Sequence, residues 1–170
     1  MATLVRAYIG LGSNLADPVQ QVARALDELN ALPRSRLVAR SGLYRSAPLG
    51  PSDQPDYINA VAAIDTQLDA KILLRHLQGI ESLHGRVRNG ERWGPRTLDL
   101  DLLLYGNEIS SDAELTLPHP GAHERVFVLA PLCAVASQCI IPGKGRVDDL
   151  LRACDAQLIE RVDSTVPACS

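Results

Sequence analysis

The sequence predicts an α+β fold of the ferredoxin-like type, a βαββαβ core whose antiparallel sheet carries its helices on one face. Three observations predict it. Two stretches carry apolar residues at helical spacing, four strand-like stretches flank and separate them in the order βαββαβ, and no repeat, linker or low-complexity tract divides the chain. At 170 residues the whole length, 1–170, is expected to be one domain with a substantial core.

Leu4 to Leu11 reads as the first strand and runs into Gly10-Leu-Gly12-Ser13-Asn14, where the glycines are expected to make a tight turn that lets a ligand approach the backbone. From Pro18, the residues Val19, Val22, Leu26 and Leu29 recur at helical spacing, and the helix stops before Pro33. Leu37 to Tyr44 is the second strand. Turn formers crowd Ala47 to Pro55, which predicts a long exposed loop. Tyr57 to Ile64 alternates as the third strand, with Tyr57, Asn59, Val61 and Ala63 on one face. The second helix spans about Asp69 to His84 on a stripe of Leu73, Leu77, Ile80 and His84. Asp99 to Tyr105 completes the core. Beyond it the sequence predicts a hairpin around Leu115 to Leu117, a helix from His123 to Ala136 and a short helix near Val147 to Ala153. Residues from about 156 to 170 lack periodicity and read as a weakly structured tail.

Composition removes several classes of function. Hydrophobic content of 46% and charged content of 22% are those of an ordinary globular protein. A net charge of −3 argues against a general nucleic-acid binder. Cys133, Cys139, Cys154 and Cys169 form no C-x-x-C pair and have no histidines at zinc-finger spacing. With no signal peptide before Tyr8 and no long apolar run, the expectation is a cytoplasmic protein with reduced thiols and no membrane contact.

The richest stretch for chemistry is Trp93-Gly-Pro-Arg96-Thr-Leu-Asp99-Leu-Asp101. Residues two apart on a strand share a face, so Asp99 and Asp101 project together while Leu98, Leu100 and Leu102 face the other way. Directly before them lie Arg86, Arg88, Arg92 and Arg96, four arginines within eleven residues. Paired carboxylates suit a hard cation, and guanidinium groups suit the phosphates that such a cation accompanies. The other reading is an edge strand with two solvated acids beside a basic loop. The concentration of arginine argues against it.

Competing motifs fail on spacing. Gly10-Leu-Gly12 lacks the third glycine of a dinucleotide fingerprint, and there is no G-x-x-x-x-G-K-[ST]. Polymerase-β-type nucleotidyltransferases place their acids within a dozen or so residues of a Gly-Ser pair, whereas here 86 positions separate Ser13 from Asp99. His119 stands between Pro118 and Pro120, which fix its backbone on a loop. Tyr57 and Asn59 pair an aromatic with an amide, the equipment for a flat nitrogen heterocycle, against the default of a tyrosine that simply packs in the core.

Together these segments resemble the 6-hydroxymethyl-7,8-dihydropterin pyrophosphokinase family of folate biosynthesis. The matching pieces are Ala7-Tyr-Ile-Gly-Leu-Gly-Ser-Asn-Leu15, Tyr44-Arg-Ser-Ala-Pro-Leu-Gly50, Asp56-Tyr-Ile-Asn59 and Gly85-Arg-Val-Arg88. They continue through Arg92-Trp-Gly-Pro-Arg-Thr-Leu-Asp-Leu-Asp-Leu-Leu103 and Pro118-His-Pro120 to Arg125-Val-Phe-Val-Leu-Ala-Pro-Leu132. About the first 135 residues are covered, and the W-G-P-R-x-x-D-L-D block is the most specific.

The resemblance implies magnesium-dependent transfer of pyrophosphate from ATP to 6-hydroxymethyl-7,8-dihydropterin, with release of AMP. Asp99 and Asp101 would hold two Mg2+ ions. Arg86, Arg96, Asp99 and Asp101 would form the catalytic set. Leu74, Gln78, Glu81, Arg88, Trp93, Arg96, His119 and Arg125 would meet ATP. The pterin would stack between Tyr57 and Phe127 and be read by Asn59, Ser46 and backbone around Leu49. Ser46-Ala47 departs from the family's more usual Thr-Pro or Thr-Glu but keeps a hydroxyl. The only partners implied are the two small substrates, and the expected state is a monomer. A non-catalytic relative that binds ATP or pterin is the alternative, and it would need neither paired metal ligands nor the full set of arginines.

Overall fold

The computed structural model describes residues 3–15, 17–46, 56–85, 97–154 and 159–162. Its core elements are β1 (Val5–Ser13), α1 (Pro18–Asn30), β2 (Ser35–Arg40), β3 (Leu43–Ser46), β4 (Tyr57–Thr66), α2 (Ala70–Leu83) and β5 (Asp99–Tyr105). After them come β6 (Ser110–Ser111), β7 (Thr116–Leu117), α3 (Val126–Ala136), β8 (Ile140–Ile141), β9 (Gly145–Arg146), α4 (Val147–Ala153) and β10 (Ile159–Val162). The result is a mixed α+β architecture on an antiparallel sheet ordered β10-β3-β4-β1-β5, with β2 also paired to β4.

Local chemistry accounts for both core helices. Proline in the first turn of α1 presets a helical φ without sacrificing an intrahelical bond. Its buried stripe is Val22, Ala25, Leu26 and Leu29. Asp69 caps α2 by accepting the Ile72 N–H at 2.9 Å, and Leu73, Leu77 and Ile80 turn inward. These stripes meet Ala7, Ile9 and Leu11 of β1, Ala60, Ala62 and Ile64 of β4, and Leu100 and Leu102 of β5.

The sheet is covered on both faces, which is more than the βαββαβ pattern alone predicts. Tyr8, Val61, Ala63, Leu103 and Leu104 point away from α1 and α2 and pack with Val128, Leu129 and Leu132 of α3 and Val147 of α4. The cause is the composition of α3. Its sequence VFVLAPLCAVA contains no charged residue, so the helix must lie against an apolar surface. It starts at Val126, three residues later than the periodicity suggests, because Arg125 is still extended (φ −112°, ψ 118°).

Two further departures have local causes. The second strand of the core is broken into β2 and β3 at Ser41-Gly42. The Ser41 N–H donates to Val61 O at 2.8 Å, and the Ser41 hydroxyl accepts the Val61 N–H at 2.9 Å in place of a backbone carbonyl. Part of the expected tail is ordered: Ile159 to Val162 pairs with Ser46 to Leu43 as β10. Four residues without distinctive periodicity give no strand signal of their own, and the open edge of β3 supplies the partner. The hairpin expected near residues 115–117 is β6–β7.

In β5, Leu102 is opposite Ile9 and Leu104 opposite Tyr8, so Leu103 has no partner and the strand bulges there. The bulge lets Leu103 and Leu104 both enter the α3 side of the sheet. At the opposite end of the sheet, Asp65 of β4 stands between Arg6 of β1 (Nε–Oδ1 2.5 Å) and Arg36 of β2 (Nη2–Oδ2 3.8 Å). The Arg6 side chain, hydrogen-bonded to it, holds the Asp65 carboxyl below the usual carboxylate range.

Candidate active site

The site lies on the α3 face of the sheet. Strand register builds it. Asp99 is opposite Gly12, and Gly12 on its other side is opposite Asn59; Asp101 is opposite Gly10, which is opposite Val61. Directly opposite residues share a face, so both carboxylates and Asn59 rise from the same side with two glycines between them. With strands about 4.8 Å apart, Asp99 and Asn59 stand roughly 10 Å apart across a floor of bare backbone. A Cβ on Gly12 would come within 3.4 Å of Asn59 Oδ1 and 3.8 Å of Tyr57 Cδ1, so any larger side chain would occupy that space.

These glycines belong to the strand, which corrects the expectation of a tight turn. They continue the ladder of β1 to Ser13; Gly12 leaves space beside Asn59 and Tyr57, whereas a Cβ on Gly10 would meet the Leu103 side chain at 3.4 Å. Glycine at alternate positions of a strand was the available signal.

Tyr57, Asn59 and Ser46 come together as expected. Asn59 and Ser46 are buried, and Asn59 Nδ2 donates to Ser46 Oγ at 2.7 Å. The hydroxyl at position 46 thus fixes the amide. Phe127, in the first turn of α3, packs against the cluster on this same face, and the Arg125 guanidinium lies over its ring, Cζ 5.9 Å from the centroid. Gly121 makes room for that guanidinium. A Cβ there would fall 2.5 Å from Arg125 Cζ.

His119 reaches the carboxylates by way of the free side of β5. Its N–H donates to Leu103 O at 3.0 Å, which lays the Pro118-His119-Pro120 segment along the strand. Its Nδ1 accepts the Gly121 N–H at 3.2 Å, and Nε2 stands 3.8 Å from Asp101 Oδ1. Nδ1 being an acceptor puts the proton of the neutral ring on Nε2, facing the carboxylate. Burial pushes the His119 pKa down, Arg125 pushes it further, and Asp99 opposes them.

The three α2 residues occupy the other layer. Leu74 packs against the α1–α2 core, Gln78 is half-buried, and Glu81 is buried with its Oε2 accepting the Leu100 N–H at 2.8 Å. Arg86, Arg88, Trp93, Arg96 and Leu49 lie outside the described residues. The donor set fits a hard cation that brings its own oxygens. Among the described residues no cluster of three or more His, Cys, Asp or Glu could enclose a metal ion, whereas two adjacent carboxylates suit magnesium, which keeps water and substrate phosphates as its other ligands.

Comparison with known proteins points the same way. Residues 8–137 match the family model described as 7,8-dihydro-6-hydroxymethylpterin-pyrophosphokinase. A Haemophilus influenzae protein named 2-amino-4-hydroxy-6-hydroxymethyldihydropteridine pyrophosphokinase is 50% identical over 149 residues, which is 88% of this chain and 92% of that protein. The Pseudomonas aeruginosa protein of the same name is 50% identical over 157 residues, covering 92% and 96%. Among solved structures, wild-type Plasmodium falciparum HPPK-DHPS with pteroate superposes with a TM-score of 0.71 at 11% identity, covering 88% of this chain. This chain spans 44% of that much longer one, and the likeness is one of fold. Among the described residues no helix is long and apolar enough to cross a membrane.

Proposed function

From its membership of the 7,8-dihydro-6-hydroxymethylpterin-pyrophosphokinase family, we infer that the chain transfers pyrophosphate from ATP to 6-hydroxymethyl-7,8-dihydropterin in folate biosynthesis, giving the pterin diphosphate and AMP. The observation that carries this reading is the register Asp99–Gly12–Asn59: a cation-binding end and a heterocycle-reading end, separated by bare backbone. The order β5-β1-β4 with β2 and β3 beyond supports taking the core as ferredoxin-like, and the whole chain as one pyrophosphokinase domain.

Attack on a phosphoryl group spreads charge over phosphate oxygens and asks little covalent chemistry of the protein. Positioning and electrostatics remain. Asp99 and Asp101 would hold magnesium, which when bound neutralises phosphate charge. Arg86, Arg88, Arg96 and Arg125 supply guanidinium groups to the phosphates. His119, neutral and donating from Nε2, adds an uncharged hydrogen bond beside them. Trp93 completes the nucleotide side, and Leu74 and Gln78, which belong to the other layer, would meet ATP only where it passes beyond the edge of β5. At the other end Tyr57 and Phe127 hold the pterin ring, while Asn59, fixed by Ser46, and backbone around Leu49 read its polar edge. With Asp99, Gly12 and Asn59 in one row of the sheet, a pterin held at one end would present its hydroxymethyl oxygen toward phosphates held at the other.

A coupled assay of AMP release tests the reading, with ATP, magnesium and the hydroxymethyl pterin supplied together. AMP formation dependent on both pterin and magnesium is expected. Binding of either ligand without turnover would establish the non-catalytic alternative instead.

A further inference from the structure

Glu81 is a buried carboxylate, 2% exposed, in the last turn of α2. Its neighbours in that layer include Leu77, Ile80 and Leu98. A carboxylate is costly to bury unless it accepts strong hydrogen bonds. Here Oε2 accepts the Leu100 N–H at 2.8 Å. Leu100 stands between Asp99 and Asp101 on β5, which among the described residues has a sheet partner on one side only. That N–H belongs to the planar peptide unit joining Asp99 to Leu100, so fixing it restrains ψ of Asp99 and φ of Leu100.

We propose that Glu81 is a positioning residue for the Asp99–Asp101 pair, setting the β5 backbone between them from the opposite layer so that both carboxylates present to one metal-nucleotide complex. The proposal rests on the pyrophosphokinase reading, and gives Glu81 a task other than the nucleotide contact implied by resemblance. Groups that orient metal ligands from behind typically matter about 10–100-fold in metal affinity or activity.

Three substitutions separate the possibilities. Glu81→Gln keeps an oxygen acceptor at the same reach. Glu81→Met keeps the length and removes the acceptor, and Glu81→Asp keeps the charge but falls one methylene short. Binding of a non-hydrolysable ATP analogue is measured by calorimetry with magnesium and with chelator, alongside hydrogen exchange of the Leu100 amide in metal-free protein. Glu81→Gln should behave as wild type. Glu81→Met and Glu81→Asp should accelerate Leu100 exchange and lose roughly 10–100-fold of the affinity seen with magnesium, leaving the chelator value unchanged. Should Glu81→Met not fold, Glu81→Asp carries the comparison. Equal losses with and without magnesium would make Glu81 a nucleotide contact and overturn the proposal. So would wild-type behaviour of Glu81→Asp, or a loss in Glu81→Gln as large. If wild type itself gains no nucleotide affinity from magnesium, the functional reading fails, and Leu100 exchange still decides whether Glu81 holds the strand.

Discussion

Asp99 and Asp101 carry like charge on one face of β5, the arrangement a bound cation would favour. Asp99→Ala and Asp101→Ala should each reduce AMP release to near background while leaving the melting temperature close to that of wild type, since both side chains stand on the ligand face rather than in the core. A parallel fall in melting temperature and rate would show that the pair serves the fold instead. The rings make a different prediction. Tyr57→Ala and Phe127→Ala should each weaken pterin binding by about 1–3 kcal/mol, by analogy with base stacking on aromatic side chains, and barely alter binding of the ATP analogue. Calorimetric titration of both ligands checks this, and equal losses would remove the stacking role. At this scale the sequence was informative about which side chains stand together on one face. Asp99 and Asp101 were legible from their spacing, and Tyr57 with Asn59 from their alternation. Gly10 and Gly12 were read as a turn open to a ligand although they lie in the strand, and Gly121 was not read at all. A missing side chain acts through what stands opposite, and that is a property of register.

Among the elements, β1 carries the most unusual demand, to be a continuous strand and yet offer no bulk at two positions on one face. Gly12→Val tests this. Valine suits a strand, so β1 should form, but its γ-carbons would extend past a Cβ already 3.4 Å from Asn59 Oδ1. The expected outcome is pterin affinity lowered at least tenfold (about 1.4 kcal/mol) with the ladder intact by amide exchange. Wild-type pterin affinity would mean that the ligand does not lie over Gly12. Helices and long strands were readable because their periodicity is internal: α1, α2, α4 and β5 fall within a residue or two of where the pattern puts them. The break at Ser41-Gly42 and the strand Ile159–Val162 were not readable, since each depends on a neighbour, Val61 in one case and the open edge of β3 in the other.

Across the whole molecule the sheet separates two duties, with the site at one end and the charge ladder Arg6–Asp65–Arg36 at the other. Asp65 is more acidic in the folded protein than an ordinary carboxylate. Its pairing therefore adds stability fully present above the unfolded-state carboxylate pKa, and lost as pH falls through its own lower value. The Arg6 side chain is 49% exposed, so the contribution is small, about 0.2–1 kcal/mol. Asp65→Asn should be less stable than wild type by that amount at neutral pH, and the difference should close in strong acid. Urea titrations at several pH values measure it, and a gap that widened in acid would contradict the assignment. Catalysis near neutrality should not change, because the substitution lies at the far end of the sheet.

One consequence concerns how the protein behaves in a crowd. β5 ends its sheet, and an end strand with idle amides and carbonyls is a template on which another chain can lay a strand and begin to aggregate. Here Glu81 occupies the Leu100 N–H and His119 occupies the Leu103 carbonyl. The contacts proposed to serve the site would thus also act as a guard against self-association. A variant that disarms it should betray itself in light scattering at high concentration, before any change in its fold is seen.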